Sequence, residues 1–310
     1  MTVQASTSRV GNGYAPGRLL TPFMPAVFVW LWSTGFIGAK YGLPYAEPFT
    51  LLLYRTLVTL MLLGLMAWWM KPQWPSARES GHVAITGLLV HGCYLGGVFY
   101  AIQDGMPAGL VSLIVGLQPL VTALAAVLVL GEGVRLRQWA GLLLGLVGVG
   151  LVLLEKMGLG PVETFSPWTL VWALIALLGI SLGTVYQKRH CQQVALIPGA
   201  IIQYCATGCL FAMGGWWFES SEVDWNLQLV LAIGWLVLGL SVGAILLLMQ
   251  LIRMGAASKV ASLFYLVPPV TALEAYILFD ERLGMLAMMG GGLSVLGVAL
   301  VVMQKRGGIS

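Results

Sequence analysis

The chain has 310 residues, 59% of them hydrophobic and only 9% charged, with a mean hydropathy of +0.90. A soluble domain carries about a quarter charged residues, so this composition excludes a water-soluble globule and indicates a chain solvated by lipid. The net charge of +4 is modest, and the basic residues are scattered at the ends of apolar segments, which excludes a nucleic-acid surface.

Residues 1–21 are polar, with Gly11, Gly13, Pro16 and Gly17, and read as a short cytoplasmic tail. The apolar stretch behind them is too long for a cleaved signal peptide and reads as a first span. A helix crosses the bilayer with about 20 mostly apolar residues. Ten such segments follow in order: 22–42, 48–70, 83–103, 107–130, 136–155, 167–187, 196–218, 227–252, 257–279 and 283–303. Pro44 and Pro48, then Lys71, Pro72 and Pro75, then Asp104, Gly105 and Pro107 punctuate the first four. Residues 131–137 separate the fourth from the fifth, 156–166 form a periplasmic link, and 305–310 form a cytoplasmic C-terminal tail.

Lysine and arginine bias sets the orientation. With the N-terminus in the cytoplasm, twelve of the sixteen basic residues face inward, among them Lys71, Arg78, Arg135, Lys188 and Arg253. Lys40, Lys156 and Arg282 fall outside, and Arg55 falls within a span. Both termini are then cytoplasmic.

One stretch occurs twice. Residues 119–132 read PLVTALAAVLVLGE and residues 268–281 read PPVTALEAYILFDE, a spacing of 149 residues. At that spacing Gly141 meets Gly290 and Gly148 meets Gly297. The repeats cover 22–155 and 167–304, five spans each, so the second enters the membrane in the opposite sense. The expected fold is an all-α polytopic membrane protein, ten transmembrane helices in two inverted five-helix repeats. Inverted repeats of this kind mark secondary transporters working by alternating access.

Trp32-Ser33, Leu53-Tyr54-Arg55, Pro119 with Gly131-Glu132, and Pro268 with Asp280-Glu281 give the chain a resemblance to the drug/metabolite transporter superfamily, in particular its EamA-type exporters. The resemblance runs from about residue 22 to 304, with Asp280 standing where the family often has glycine. It implies export of small metabolites such as amino acids, aromatic ones first, or of amphiphilic drugs. It also implies the bacterial inner membrane.

Pro119 and Pro268 fall near the middle of the fourth and ninth spans, where a proline removes a backbone hydrogen bond and interrupted helices often border transport sites. The polar and aromatic set at mid-membrane depth is Trp32, Ser33, Thr34, His91, Tyr94, Gln118, Ser181 and Tyr265. Such groups in lipid must face the bundle or a wet cavity; converging, they form an aromatic-walled substrate pocket, whereas apart they tie helices together. Gly141, Gly145, Gly148 and Gly150, with Gly290, Gly291, Gly292 and Gly297, read as packing faces or as a homodimer face on the fifth and tenth helices. Cys93, Cys191, Cys205 and Cys209 show no ligand spacing with histidine and read as unreactive thiols. His82, His91 and His190 are spread over two loops and one span.

Arg55 and Glu274 are charges inside spans, and their counterparts at the 149 spacing are Tyr204 and Ala125. The expectation is that they meet in the inward-facing state and help close an outer gate. Glu274 is then a candidate proton site, because burial favours the neutral carboxyl and a nearby guanidinium favours the charged one. No catalytic motif, cofactor motif or metal cluster appears. The alternatives are a carrier of phosphorylated or nucleotide-linked sugars, which would need several basic residues in the cavity, a membrane enzyme on lipid-linked substrates, and a channel.

Overall fold

The computed structural model describes residues 23–106, 111, 114–157, 167–255, 257–267, 269–270, 273–274, 277 and 284–302. Both tails, residues 158–166 of the expected link, Pro268, Asp280 and Glu281 lie outside the described residues, as does the side chain of Lys40.

Helix α1 spans Met24–Gly42 and α2 spans Pro48–Met70. Each carries proline in its first turn, where the missing N–H has no partner to lose. Helix α2 stops at Lys71, which takes the left-handed conformation (φ +46°). Helix α3, Ala77–Gln103, starts six residues before the expected 83. The reason is a capping box: Ser76 accepts from the Glu79 N–H while the Glu79 carboxylate accepts from Ser76. It is interrupted by a π-helical turn, Leu88–Cys93.

Helix α4 spans Gln118–Leu130 and ends on Gly131 at φ +66°, a left-handed cap that glycine adopts without a Cβ clash. Pro119 therefore does not kink a continuous span. The fourth segment is broken at a turn over Gly116 and Leu117, and Pro119 sits in the first turn of the new helix. There follow α5 (Leu136–Met157), α6 (Pro167–His190) and α7 (Leu196–Phe218). Helix α8, Leu227–Met254, is capped by Asn226 and carries its own π-helical turn, Leu236–Ala244. Helix α9 runs Ala257–Ser262 into a 3₁₀ turn, Leu263–Leu266, and α10 is Met285–Val302.

Helices α2, α3, α6, α7 and α8 are long and apolar enough to cross a bilayer, and shorter apolar helices lie on α4, α5 and α10. The surface is the apolar side: Met61, Leu65, Trp68, Leu128 and Leu238 are exposed, while Ser33, Arg55, His91, Gln118, Gln203 and Ser241 are buried. Tryptophans 68, 69, 74, 216, 217 and 225 gather at the ends of α2 and α7, where indoles settle at the headgroup level.

The helices pack in pairs: α1 with α8, α2 with α7, α3 with α6, α4 with α6 and α9, and α5 with α10. Glycine makes two of these contacts close enough for backbones to touch. A methyl built on Gly97 of α3 would lie 2.5 Å from the Trp172 carbonyl oxygen of α6. One on Gly141 of α5 would lie 2.6 Å from the Gly297 oxygen, and one on Gly148 would lie 2.5 Å from the Gly290 oxygen. These faces are therefore used inside the chain. A homodimer through α5 and α10 would need their other sides, where Gly150 and Gly292 have nothing within 4 Å.

At one end of the bundle the loops on either side of α2 and α7 are laced together. Glu219, just past α7, accepts from the backbone N–H groups of Phe49 (2.6 Å) and Thr50 (2.8 Å), from the Thr50 hydroxyl (2.7 Å) and from Tyr100 of α3 (2.6 Å). It thus satisfies the open N–H groups at the start of α2. Glu47 answers in the other direction, accepting from Ser220 N–H and hydroxyl, both 2.8 Å. At the opposite end Glu132 accepts from the Ala257 N–H (3.0 Å) and so caps α9. Lys188 there donates to the Ile252 carbonyl (2.9 Å).

The α5–α10 contact makes a direct prediction. Gly148→Leu abolishes recovery of monodisperse protein in detergent, because the nearest atoms are backbone and cannot give way. Gly150→Ala leaves the thermal unfolding midpoint unchanged. Equal tolerance of both, read by size-exclusion chromatography, would contradict the packing.

Candidate functional site

The polar interior is centred on Arg55, eighth residue of α2 and 4% exposed. Its Nε donates to the Ser241 hydroxyl (2.8 Å) on the π-helical turn of α8. Tyr204 of α7 lies beside the guanidinium and donates to the Ser241 carbonyl (3.1 Å). The ring of His91, on the π-helical turn of α3, stacks on Tyr204 with centroids 4.5 Å apart and planes 16° apart. His91 Nε2 donates to Oε1 of Gln203 (3.1 Å), which leaves Nδ1 as a buried acceptor without a partner.

Arg55 and His91 line a cavity of about 40 Å³ with Trp32, Tyr94, Phe99, Leu236 and Leu240. Trp32 stacks on Tyr94 (6.0 Å, 20°) and its indole N–H donates to the Tyr94 hydroxyl (3.3 Å). Phe264 of the 3₁₀ turn meets Trp32 edge-on at 5.1 Å. Stacked and edge-on rings of this kind give an apolar wall. Both π-helical turns border the cavity. Such turns are short insertions in α-helices, often at functional sites, and here they present His91 and Leu240 to the same space.

The expected site residues divide. Trp32, His91 and Tyr94 converge on the cavity with Arg55. Ser33 turns away and donates to Glu274 Oε1 (2.5 Å). Glu274 Oε2 is buried without a partner, and the residue borders a separate groove of about 810 Å³ between α1 and α8, flanked by Trp30, Thr34, Tyr41 and Trp235. Arg55 and Glu274 thus hold different hydroxyls in this conformation and make no ion pair. Gln118, Ser181 and Tyr265 are wholly buried with side-chain polar atoms unpartnered, but they do not border the Arg55 cavity. The Tyr265 ring packs over Gly145 of α5. Pro268 is outside the described residues.

Several members of the network lack a sequence signal. Gln203, Tyr204 and Ser241 sit in apolar runs, and only the pairing of Tyr204 with Arg55 at the 149 spacing pointed to it. His82 and His190 are not loop residues. They lie on α3 and α6 and stack at 4.5 Å, and His82 bonds the Tyr186 hydroxyl (2.7 Å). The early start of α3 at the Ser76 capping box brings His82 onto a helix. Among the described residues no group of three or more metal-ligating side chains forms.

Apolar helices with an apolar exterior, enclosing buried polar groups and a small aromatic cavity, define a multi-pass membrane protein. The chain belongs to the EamA-like transporter family, whose model matches residues 22–154 and again 167–303. It is 29% identical over 303 residues to the uncharacterized transporter YvbV of Bacillus subtilis, covering 92% of each chain. It is 27% identical over 290 residues to the uncharacterized inner membrane transporter YedA of Escherichia coli K12, covering 93% of each. A probable amino-acid metabolite efflux pump of Salmonella typhimurium is 26% identical over 296 residues, covering 92% of this chain and 95% of that one. A solved crystal structure superposes with a TM-score of 0.73 at 23% identity, covering 90% of this chain and 95% of the other, and shares its fold.

Removing the Ser241 hydroxyl leaves a buried guanidinium one acceptor short. A hydrogen bond to a charged group is worth about 1.5–3 kcal/mol. Ser241→Ala therefore lowers stability by about that much in thermal or denaturant unfolding, and an unchanged midpoint would show that the Arg55–Ser241 bond carries no weight.

Proposed function

We propose that the protein is a secondary transporter that exports small metabolites, amino acids or related compounds with an aromatic body, across the bacterial inner membrane by alternating access. The observation that carries this reading is the cavity itself: among the described residues, one cation, one unpartnered imidazole nitrogen and three aromatic walls, buried in a lipid-facing bundle. Ligand sites are typically apolar with a few placed polar groups. The efflux pump among the relatives supports the direction of transport and the substrate class.

Alternating access needs two halves that exchange roles, which ten spans in two inverted five-helix repeats would supply. The packing supports such a relation. Exchanging each helix for the one five places away turns the α1–α8 contact into α6–α3 and returns α2–α7 and α5–α10 to themselves. Gly141 faces Gly297 while Gly148 faces Gly290, the reciprocal pairing that a two-fold axis generates. The π-helical turn 88–93, moved by 149 residues, falls on 237–242, within Leu236–Ala244. Basic bias then puts both termini in the cytoplasm and the Glu47–Glu219 lacing on the periplasmic side. Glu274, with one oxygen held by Ser33 and the other free, is the candidate coupling site for a proton. Arg55 would be its partner only in a conformation other than this one.

The sugar-phosphate alternative has less support, since among the described residues a single cationic side chain, Arg55, lines the cavity. Proteoliposomes with labelled amino acids, with and without a pH gradient, test the proposal. Saturable transport is expected, abolished or cut at least about 10-fold by Trp32→Ala or Tyr94→Ala in protein that still inserts, with pH dependence lost in Glu274→Gln. Unaltered transport in both aromatic variants would move the path elsewhere, and a pH response unchanged in Glu274→Gln would remove it as the coupling site.

A further inference from the structure

Among the described residues Arg55 has no acidic partner. The Tyr204 phenol lies beside it, Tyr94 lines the same cavity, its Nε is held by a serine hydroxyl, and the carboxylate of Glu274 is bound to Ser33. Unlike a lysine, a guanidinium does not shed its proton to escape burial. A buried charge is costly unless it is paired and hydrogen-bonded. A purely structural arginine would be matched by a carboxylate on a neighbouring helix. Here the protein surrounds it with hydroxyls and rings and leaves it facing a cavity.

We propose that Arg55 is the anchor for a carboxylate of the transported molecule, so that the cargo is a carboxylate with an aromatic or apolar body and not a cationic amphiphile. The planar fork of a guanidinium matches a carboxylate in two parallel hydrogen bonds. One cation matches one negative charge, whereas a phosphate ester would leave charge unpaired. The cavity, about 40 Å³, accommodates the head group, and Trp32, Tyr94 and Phe99 offer apolar surface to whatever is attached to it. The amino group of an amino acid is tolerated and is not what the site selects. The inference rests on the transporter reading only in treating the bound molecule as cargo; the binding itself is independent of transport.

The test is therefore one of binding. Purified protein in detergent is titrated with 3-phenylpropionate, L-phenylalanine, 3-phenylpropanamide and 2-phenylethylamine, and thermal unfolding is followed. A ligand that binds the folded state raises the unfolding midpoint by mass action. The two carboxylates are expected to raise it; the amide and the amine are not. Arg55→Gln should weaken carboxylate affinity by about 10-fold or more, the loss expected for a charged hydrogen bond, with Arg55→Lys retaining part of it. Should Arg55→Gln fail to fold, the comparison of carboxylate with amide on the wild-type protein, and the Arg55→Lys variant, still decide. Stabilisation by the amine or amide equal to that by the carboxylates would overturn the proposal, as would carboxylate binding unchanged in the Arg55 variants, or no carboxylate binding at all. Chloride or phosphate alone giving the same shift would make the site a general anion site and equally overturn it. Carboxylate binding without any transport in proteoliposomes would defeat the exporter reading and leave the anchor intact.

Discussion

The charge of Arg55, buried among apolar helices, governs the interior of this protein. Arg55 cannot neutralise itself and is almost wholly buried, so the helices around it must supply polar atoms. They do so from three directions: Ser241 from the π-helical turn of α8, Tyr204 from α7, and, through the stack on Tyr204, His91 from the π-helical turn of α3. Those same turns and α1 enclose the cavity. The need to accommodate one guanidinium thus connects backbone irregularity, aromatic packing and the candidate binding site.

Around this centre the structure divides its contacts between close and adjustable ones. The glycine contacts of α5 with α10 and of α3 with α6 leave no room for a methyl group, which makes those pairs rigid units. The loop ends are held by carboxylates on backbone N–H groups, Glu219 at the start of α2 and Glu132 at the start of α9, at opposite ends of the bundle. Hydrogen bonds of this type form and break without repacking a core.

Much of the fold is legible in the sequence because lipid imposes a length rule. A run of about 20 apolar residues is hard to mistake, and the ends of α2, α7 and α8 fall close to where composition puts them. The start of α3 was missed because the Ser76–Glu79 capping box is a local polar signal that hydropathy ignores. Pro119 was legible as a helix break, but not that the turn at Gly116 and Leu117 precedes it and leaves it in the first turn of the new helix. The π-helical turns leave no trace in composition, and with them Ser241 and Gln203 stayed hidden. Trp32, His91 and Tyr94 were legible as polar or aromatic groups at mid-membrane depth. Gln118, Ser181 and Tyr265 satisfied the same criterion, yet depth along the membrane does not fix the direction in which a side chain points. Tyr204 was visible only as the unlike counterpart of Arg55. Because α2 packs on α7, counterparts at that position meet face to face.

The central claim is that the Arg55 cavity opens to each side of the membrane in turn. Leu95 borders it and is partly buried. In a variant with the four native cysteines replaced, Leu95→Cys is exposed to an impermeant thiol reagent in right-side-out and in inside-out vesicles. The account predicts modification from both sides, with a saturating carboxylate substrate changing the two rates in opposite directions. Modification from one side only, whatever the substrate, would contradict it.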